Sequence, residues 1–314
     1  MNAITNRHVG NVMLTGRSYG GTATPARVSG AMQSRTTDDA TGNVDLFVAT
    51  AQEGGQVQVL NGSGISDMPS ALQQGRWTPE HLRDEATTWA RQLRASGVNM
   101  NLAPVLDTVP SAEAAQNNPP IGAYDREFGY TTRVVGNHGR AFMNAMDAGG
   151  VAPSIKHFPG LGRVHANTDT SSGVTDRVTT RHDAYLEPFK TSIDAGAPFV
   201  MMSTAYCSRI DAKNPAAFSP FIVNTLLRGD LGFNGVVVSD DLANARQVSR
   251  WSWGQRAVKF LGAGGNMVLT VNPDSLPAMY SAVLNRAQDN AAFRAKVNAS
   301  ARKVLEAKES RELL

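Results

Sequence analysis

The stretch Gly232-Phe233-Asn234-Gly235-Val236-Val237-Val238-Ser239-Asp240-Asp241-Leu242 decides the fold class. A helical pattern over 220–230 stops near Gly232, and an apolar run follows almost at once. Three successive valines leave the run no polar face. Such a strand is buried on both sides, as happens in a parallel sheet covered by helices. The run then ends on two carboxylates. The same pattern recurs outward in both directions. Apolar runs at 9–15, 44–51, 100–106, 151–157, 199–205 and 267–271 read as further strands. Between them lie amphipathic helices over 78–96, 131–148, 181–195 and 254–263. The first opens on Thr78 as N-cap with Pro79 behind it. These helices stop at Gly97, Gly149-Gly150, Gly196 and Gly264-Gly265. A helix that ends on glycine and feeds an apolar strand is the αβ half of a βα repeat. The tail 293–313 reads as one long charged helix.

The expected fold is therefore α/β: a (β/α)8 TIM-type barrel whose first strand is missing at the N-terminus. Seven strands can be counted where closure needs eight, and the eighth would most simply precede Met1. No linker or shift in composition divides the chain, so residues 1–314 read as one catalytic barrel domain. An open doubly-wound sheet is the alternative. It lacks its usual nucleotide loop, because Gly262-Ala263-Gly264-Gly265 precedes a strand and not a helix.

Composition excludes several classes. The chain has 314 residues, 41% of them hydrophobic, which supports a large core and excludes wholesale disorder. Net charge is +3 and no basic run is long enough to bind nucleic acid. No apolar stretch is long enough for a membrane span. One cysteine, Cys207, excludes an internal disulfide framework and a multi-cysteine metal site. There is no Gly-x-Ser-x-Gly elbow, His-Glu-x-x-His or Walker loop, so neither metal nor cofactor is expected. Residues 1–7 lack the apolar core of a signal peptide. A leader on a preceding segment would be invisible here, which leaves cytoplasmic and secreted locations both open. Oligomeric state is open too.

In a barrel the chemistry lies where strands end. Three strand ends carry charge: Asp107, then Lys156 and His157, then Asp240 and Asp241. Arg126 sits in the long loop 111–129. Charge at the end of an apolar strand costs desolvation unless it is paired or used. The loop 160–175, rich in Gly, Asn, Thr and Ser, has few apolar anchors and suits a segment that closes over substrate. Asp169 in that loop and Asp240 could face one pocket. Two such carboxylates are the minimum for glycoside hydrolysis. The remaining histidines, His8, His81, His138 and His182, read as surface or capping residues. Trp251 and Trp253 could wall a sugar subsite, with packing at least as good a reading, and Cys207 reads as a buried, inert thiol.

Specificity comes from a resemblance. The stretch from Lys156 through Gly162 and the stretch from Gly232 through Leu242 resemble glycoside hydrolase family 3, in particular its bacterial β-N-acetylhexosaminidase branch. Gln52-Glu53-Gly54-Gly55, Leu102 through Asp107, and Ile121-Gly122 with Arg126-Glu127-Phe128-Gly129 add to it, in the family's order. The resemblance implies a barrel and a retaining mechanism, with Asp240 as nucleophile and Asp241 as a structural neighbour. It implies that Lys156, His157 and Arg126 bind sugar hydroxyls. The implied substrate is terminal β-linked N-acetylhexosamine from chitin or peptidoglycan fragments.

This chain departs from that pattern in three places. Where the branch carries Asp-Ser-His in the mobile loop, Asn167, Thr168 and Asp169 stand. Asp169 thus takes the acid/base position, and a carboxylic acid can serve there if its pKa is raised. An anionic base also disfavours a phosphate acceptor, which points to hydrolysis. His165, four residues earlier, is the alternative acid/base. Second, Ala51 replaces the carboxylate that normally precedes Gln-Glu-Gly-Gly. Two charge-assisted hydrogen bonds, each worth roughly 1.5–3 kcal/mol, are lost with it. Third, the first strand is absent, which leaves two sheet edges. Two other functions are consistent with these departures: a catalytically impaired carbohydrate-binding barrel, or a β-glycosidase for another sugar. Calorimetric titration with N-acetylglucosamine oligomers separates binding from turnover.

Overall fold

The computed structural model describes residues 2–314. Its framework is one seven-stranded sheet made of β1 (Asn11–Met13), β2 (Phe47–Thr50), β3 (Met100–Asn101), β4 (Ala152–Phe158), β5 (Phe199–Met202), β6 (Val236–Asp241) and β7 (Met267–Leu269). They neighbour one another in chain order and every pairing is parallel. Each strand overlaps a run that the sequence marks as one, β4 reaching one residue beyond 151–157.

Alternation along the strands explains the unbroken apolar runs. Phe47, Ala49, Phe199, Met201, Val236 and Val238 turn inward and form one cluster with Met100 and Leu102. Their neighbours Leu46, Val48, Val200, Met202 and Val237 turn outward into a second cluster, shared with the helices. Both faces are buried, so apolar residues dominate them.

The covering helices are α1 (Asn2–Arg7), α2 (Ala23–Gln33), α3 (Pro79–Ala95), α4 (Thr132–Ala148), α5 (Glu187–Asp194), α6 (Trp253–Ala263), α7 (Leu276–Asp289) and α8 (Ala291–Glu309). Thr78 does cap α3, its side chain accepting from the His81 N–H. Trp89 of α3 and Phe142 of α4 meet at 6.1 Å between ring centroids. Residues Phe221–Asp230 wind with π-type turns. The sequence pattern does not register α1, α2 and α7. Their buried residues are few and partly polar: Ile4 in α1, Pro25 and Ser29 in α2, Met279 and Ala287 in α7. Among the described residues no helix is long and apolar enough to cross a membrane.

The α/β architecture and the curled parallel sheet are as expected. The sheet curls into an open half-barrel, and the described residues do not close it. The edge strands β1 and β7 pair only with β2 and β6. They face each other across a cavity of about 590 Å³ lined by Val12, Met13, Phe47, Met100, Val238 and Leu269, among others. The physical reason is that the last register position has no strand to fill it.

Candidate active site

Short elements at the C-terminal ends of the strands build the cleft. After β2 comes a ribbon of Gln52–Gly54 paired with Val57–Gln58. Gly54 has φ +106°, and a Cβ there would lie 2.2 Å from the Pro69 carbonyl oxygen. Only glycine turns the chain so tightly. The turn leaves Glu53 buried and aimed into a cleft of about 310 Å³. That volume falls at the lower end of the ~300–1,000 Å³ usual for small-ligand sites.

Glu53 is the hub of the polar wall. Arg126 donates to it twice, from Nε and from Nη2, both at 2.8 Å. The Lys156 ammonium lies 2.5 Å from Glu53 Oε1. Burial alone would raise the Glu53 carboxyl, but the Arg126 and Lys156 charges outweigh it and hold it at about 2. Burial also pushes the Lys156 amine down, and the nearby Arg126 charge adds to that against the pull of Glu53. Arg126 owes its place to the loop before it. Asn118 Oδ1 accepts from the Ile121 and Gly122 N–H groups, and Arg126 Nη1 donates to the Pro120 carbonyl.

The second pair is Asp107 and His157. Asp107, fully buried, accepts from His157 Nδ1 at 2.6 Å. Its other oxygen accepts from the Leu161 N–H at 2.7 Å. A carboxylate can only accept, so the imidazole carries its proton on Nδ1. Nε2 is left facing Arg126 Nη2 at 3.5 Å. Lys156 and His157 are joined by a cis peptide, and both line the cleft.

Asp240, next to last in β6, lines the same cleft. One of its oxygens accepts from the Asp241 N–H at 2.8 Å, and no protein hydrogen bond among the described residues reaches the other. That leaves an exposed lone pair for chemistry. Asp241 instead organises the backbone. It accepts from the N–H groups of Ala243, Asn244 and Val271 at 3.0, 2.8 and 3.1 Å.

Asp169 reaches the cleft from the loop after β4. The residue is solvent-accessible at the mouth, yet its carboxyl is pushed up to about 6. Crowding by protein is the larger cause and the Asp240 charge the next, with His157 and Arg126 opposing. A carboxyl raised in this way can hold a proton near neutral pH and give it up as an acid.

The expectation of a poorly anchored loop is corrected. Leu161, Val164 and Val174 are buried in an apolar cluster with Val105, Val109 and Ile121. Asn118 Nδ2 also donates to the Leu161 and Val164 carbonyls, both at 2.8 Å.

Asp240, Asp169, Lys156, His157 and Arg126 thus meet in one cleft. His165 does not join them: it is exposed, its Nδ1 lies 3.2 Å from the Asn117 carbonyl, and it is outside the cleft lining. Trp251 packs edge-on against Phe218 at 5.2 Å, and Trp253 donates to the Ala243 carbonyl. Neither walls the cleft. Cys207 is buried, and burial pushes its thiol up. Ala51 lines the cleft beside Met13, Leu102 and Leu269, so this wall is apolar. No group of three or more His, Cys, Asp or Glu among the described residues is arranged to hold a metal. Sequence reasoning missed Glu53 as the hub. The available signal was its place just past an apolar strand, the same signal that singles out Asp107 and Asp240.

The model of the glycosyl hydrolase family 3 N terminal domain matches residues 1–307. The crystal structure of a beta-N-acetylhexosaminidase from Beutenbergia cavernae DSM 12333 aligns at a TM-score of 0.97 and 54% identity, covering 98% of this chain and 91% of that one. A family 3 beta-N-acetylglucosaminidase from Paenibacillus sp. str. FPU-7 aligns at a TM-score of 0.90 and 28% identity, over 99% of this chain and 58% of that one. A beta-hexosaminidase of Xanthomonas oryzae pv. oryzae is 32% identical over 292 residues, which are 91% of this chain and 83% of the relative.

Proposed function

The chain belongs to glycosyl hydrolase family 3 and is a glycoside hydrolase, and from that premise we propose that it removes terminal β-linked N-acetylhexosamine from chitin or peptidoglycan fragments by a retaining, exo-acting mechanism. The observation that carries this reading is the pair Asp240 and Asp169 in one cleft, with the Asp169 carboxyl raised to about 6.

In the first step the free oxygen of Asp240 attacks the anomeric carbon. The bond to the leaving oxygen breaks while Asp169 gives that oxygen its proton. A glycosyl ester forms on Asp240. In the second step Asp169, now ionised, takes a proton from water, and the hydroxide displaces Asp240. Lys156, His157 and Arg126 hold sugar hydroxyls so that the ring meets Asp240 in line. Glu53 fixes Lys156 and Arg126, and Asp107 fixes the His157 tautomer. The finer fold reading, a (β/α)8-type barrel short of one strand, is supported by the sequential strand order and by the cavity between β1 and β7.

The test is turnover of an aryl N-acetyl-β-glucosaminide by the wild type, Asp240→Ala and Asp169→Ala. Activity should vanish in Asp240→Ala. In Asp169→Ala it should drop by ~10²–10⁴, the usual contribution of general acid–base catalysis, for leaving groups that need a proton. A folded Asp240→Ala variant that retains wild-type turnover would sink the reading.

A further inference from the structure

Among the described residues the Asp169 side chain makes no hydrogen bond, and its N–H donates to Asn167 Oδ1 at 2.8 Å, so the backbone of its loop sets what its carboxyl can reach. That backbone is tied to the turn Arg246–Val248, which follows the strand of Asp240. The Arg246 N–H donates to the Asp169 carbonyl and the Gln247 N–H to the Thr168 carbonyl, each at 3.0 Å. The Gln247 side chain grips the far end of the loop. Its Oε1 accepts from the Val174 N–H and its Nε2 donates to the Val174 carbonyl, both at 2.9 Å. Gln247 is 3% exposed and does not line the cleft.

We propose that Gln247 is a positioning residue for the acid step: its carboxamide docks the Asp169 loop against the turn after Asp240. The proposal rests on Asp169 being the acid/base. Removing the carboxamide leaves the Val174 N–H unpaired and its carbonyl with the Tyr206 N–H as sole donor, and a buried donor without a partner is costly. The loop then relaxes toward solvent and carries Asp169 away from the leaving oxygen. Asp240 keeps its own strand and its own reactivity. The defect should therefore appear only where the departing oxygen needs a proton as the C1–O bond breaks.

The experiment compares kcat/KM, which reports the glycosylation step, on two substrates. One is the β-1,4-linked disaccharide of N-acetylglucosamine, whose leaving alcohol must be protonated. The other is 2,4-dinitrophenyl N-acetyl-β-glucosaminide, whose leaving group departs as an anion. Gln247→Met keeps the length and packing of the side chain and removes both hydrogen bonds. It should lose about 10²-fold on the disaccharide, the scale of a misplacement near 1 Å, and stay close to wild type on the dinitrophenyl substrate. Equal losses on both substrates, or none on the disaccharide, overturn the proposal. Asp169→Ala, measured alongside, tests the underlying reading separately. If its losses do not depend on the leaving group, Asp169 is not the acid, and the positioning role falls with it. If Gln247→Met does not fold, Gln247→Glu carries the same comparison. It keeps the acceptor for the Val174 N–H, and its loss on the disaccharide should be intermediate. Failure of both variants to fold would make Gln247 a stability residue and overturn the proposal.

Discussion

At the scale of single residues, Asp169 and Asp240 line one cleft. Asp169 must be protonated to act as the acid, and its carboxyl is raised to about 6. A raised carboxyl loses its proton as pH climbs through that value. The kcat/KM for an unactivated leaving group should therefore fall above about pH 6, and a pH profile flat to pH 8 would contradict the assignment. Glu127 is a second raised carboxyl, pushed up to about 7 by burial and then by the charges of Asp125 and Asp107. It is fully buried, and neither oxygen has a hydrogen-bond partner. Its folded pKa lies above its unfolded value of 4.5. Stability from this group is thus intact below pH 4.5, lost as pH rises from there to about 7, and flat beyond. Glu127→Gln should gain on the order of 1–3 kcal/mol over wild type at pH 8 and nothing at pH 4. Urea denaturation at the two pH values would show it. The sequence marks Glu127 only as a neighbour of Arg126, because burial is not visible in a residue name.

At the scale of elements, close backbone approach fixes where the Asp169 loop starts. A Cβ on Gly162 would lie 1.9 Å from the Thr108 carbonyl oxygen and 2.4 Å from its carbon. Those atoms belong to the backbone after β3 and cannot swing aside. Gly162→Ala should shift the loop by an ångström or more and cut activity about 10²-fold, with Asp240 untouched. Wild-type kinetics in that variant would show that the approach can be relaxed. The elements themselves were largely legible. Glycine stops and apolar runs locate all seven strands, and α3, α4 and α6 lie where amphipathic spacing and glycine stops put them. The helices α1, α2 and α7 were not legible, since a helix that buries few residues carries little periodicity. The anchoring of 160–175 was not legible either. Leu161, Val164 and Val174 look isolated in sequence and become a cluster only beside Val105 and Ile121.

At the scale of the molecule, an open parallel sheet leaves unpaired backbone on β1 and β7 and an apolar cavity of about 590 Å³ between them. Such a surface binds amphiphiles and invites strand addition. The folded protein should enhance anilinonaphthalene sulfonate fluorescence well below its unfolding temperature. Met267→Trp, on the inner face of β7, should reduce that signal by filling the cavity. No enhancement in the wild type would mean that the edges approach more closely in solution. The cavity shares Met13, Leu102, Leu269 and Val271 with the cleft that holds Asp240 and Asp169, so the apolar wall at Ala51 is continuous with the gap in the sheet.

By itself the sequence determined the parallel α/β architecture, the order of its strands, and the strand-end positions of Asp240, Lys156 and His157. These follow from local rules: period-two burial on both faces, glycine stops, and charge at the end of an apolar run. Only the tertiary structure decided the rest. Glu53 became the hub between Arg126 and Lys156 because strands far apart in sequence converge at one end of the sheet. Asp169 was separated from His165 because a docked loop presents only one of them to the cleft. The sheet is open because closure depends on a pairing partner in space, and among the described residues the outer edges of β1 and β7 have none.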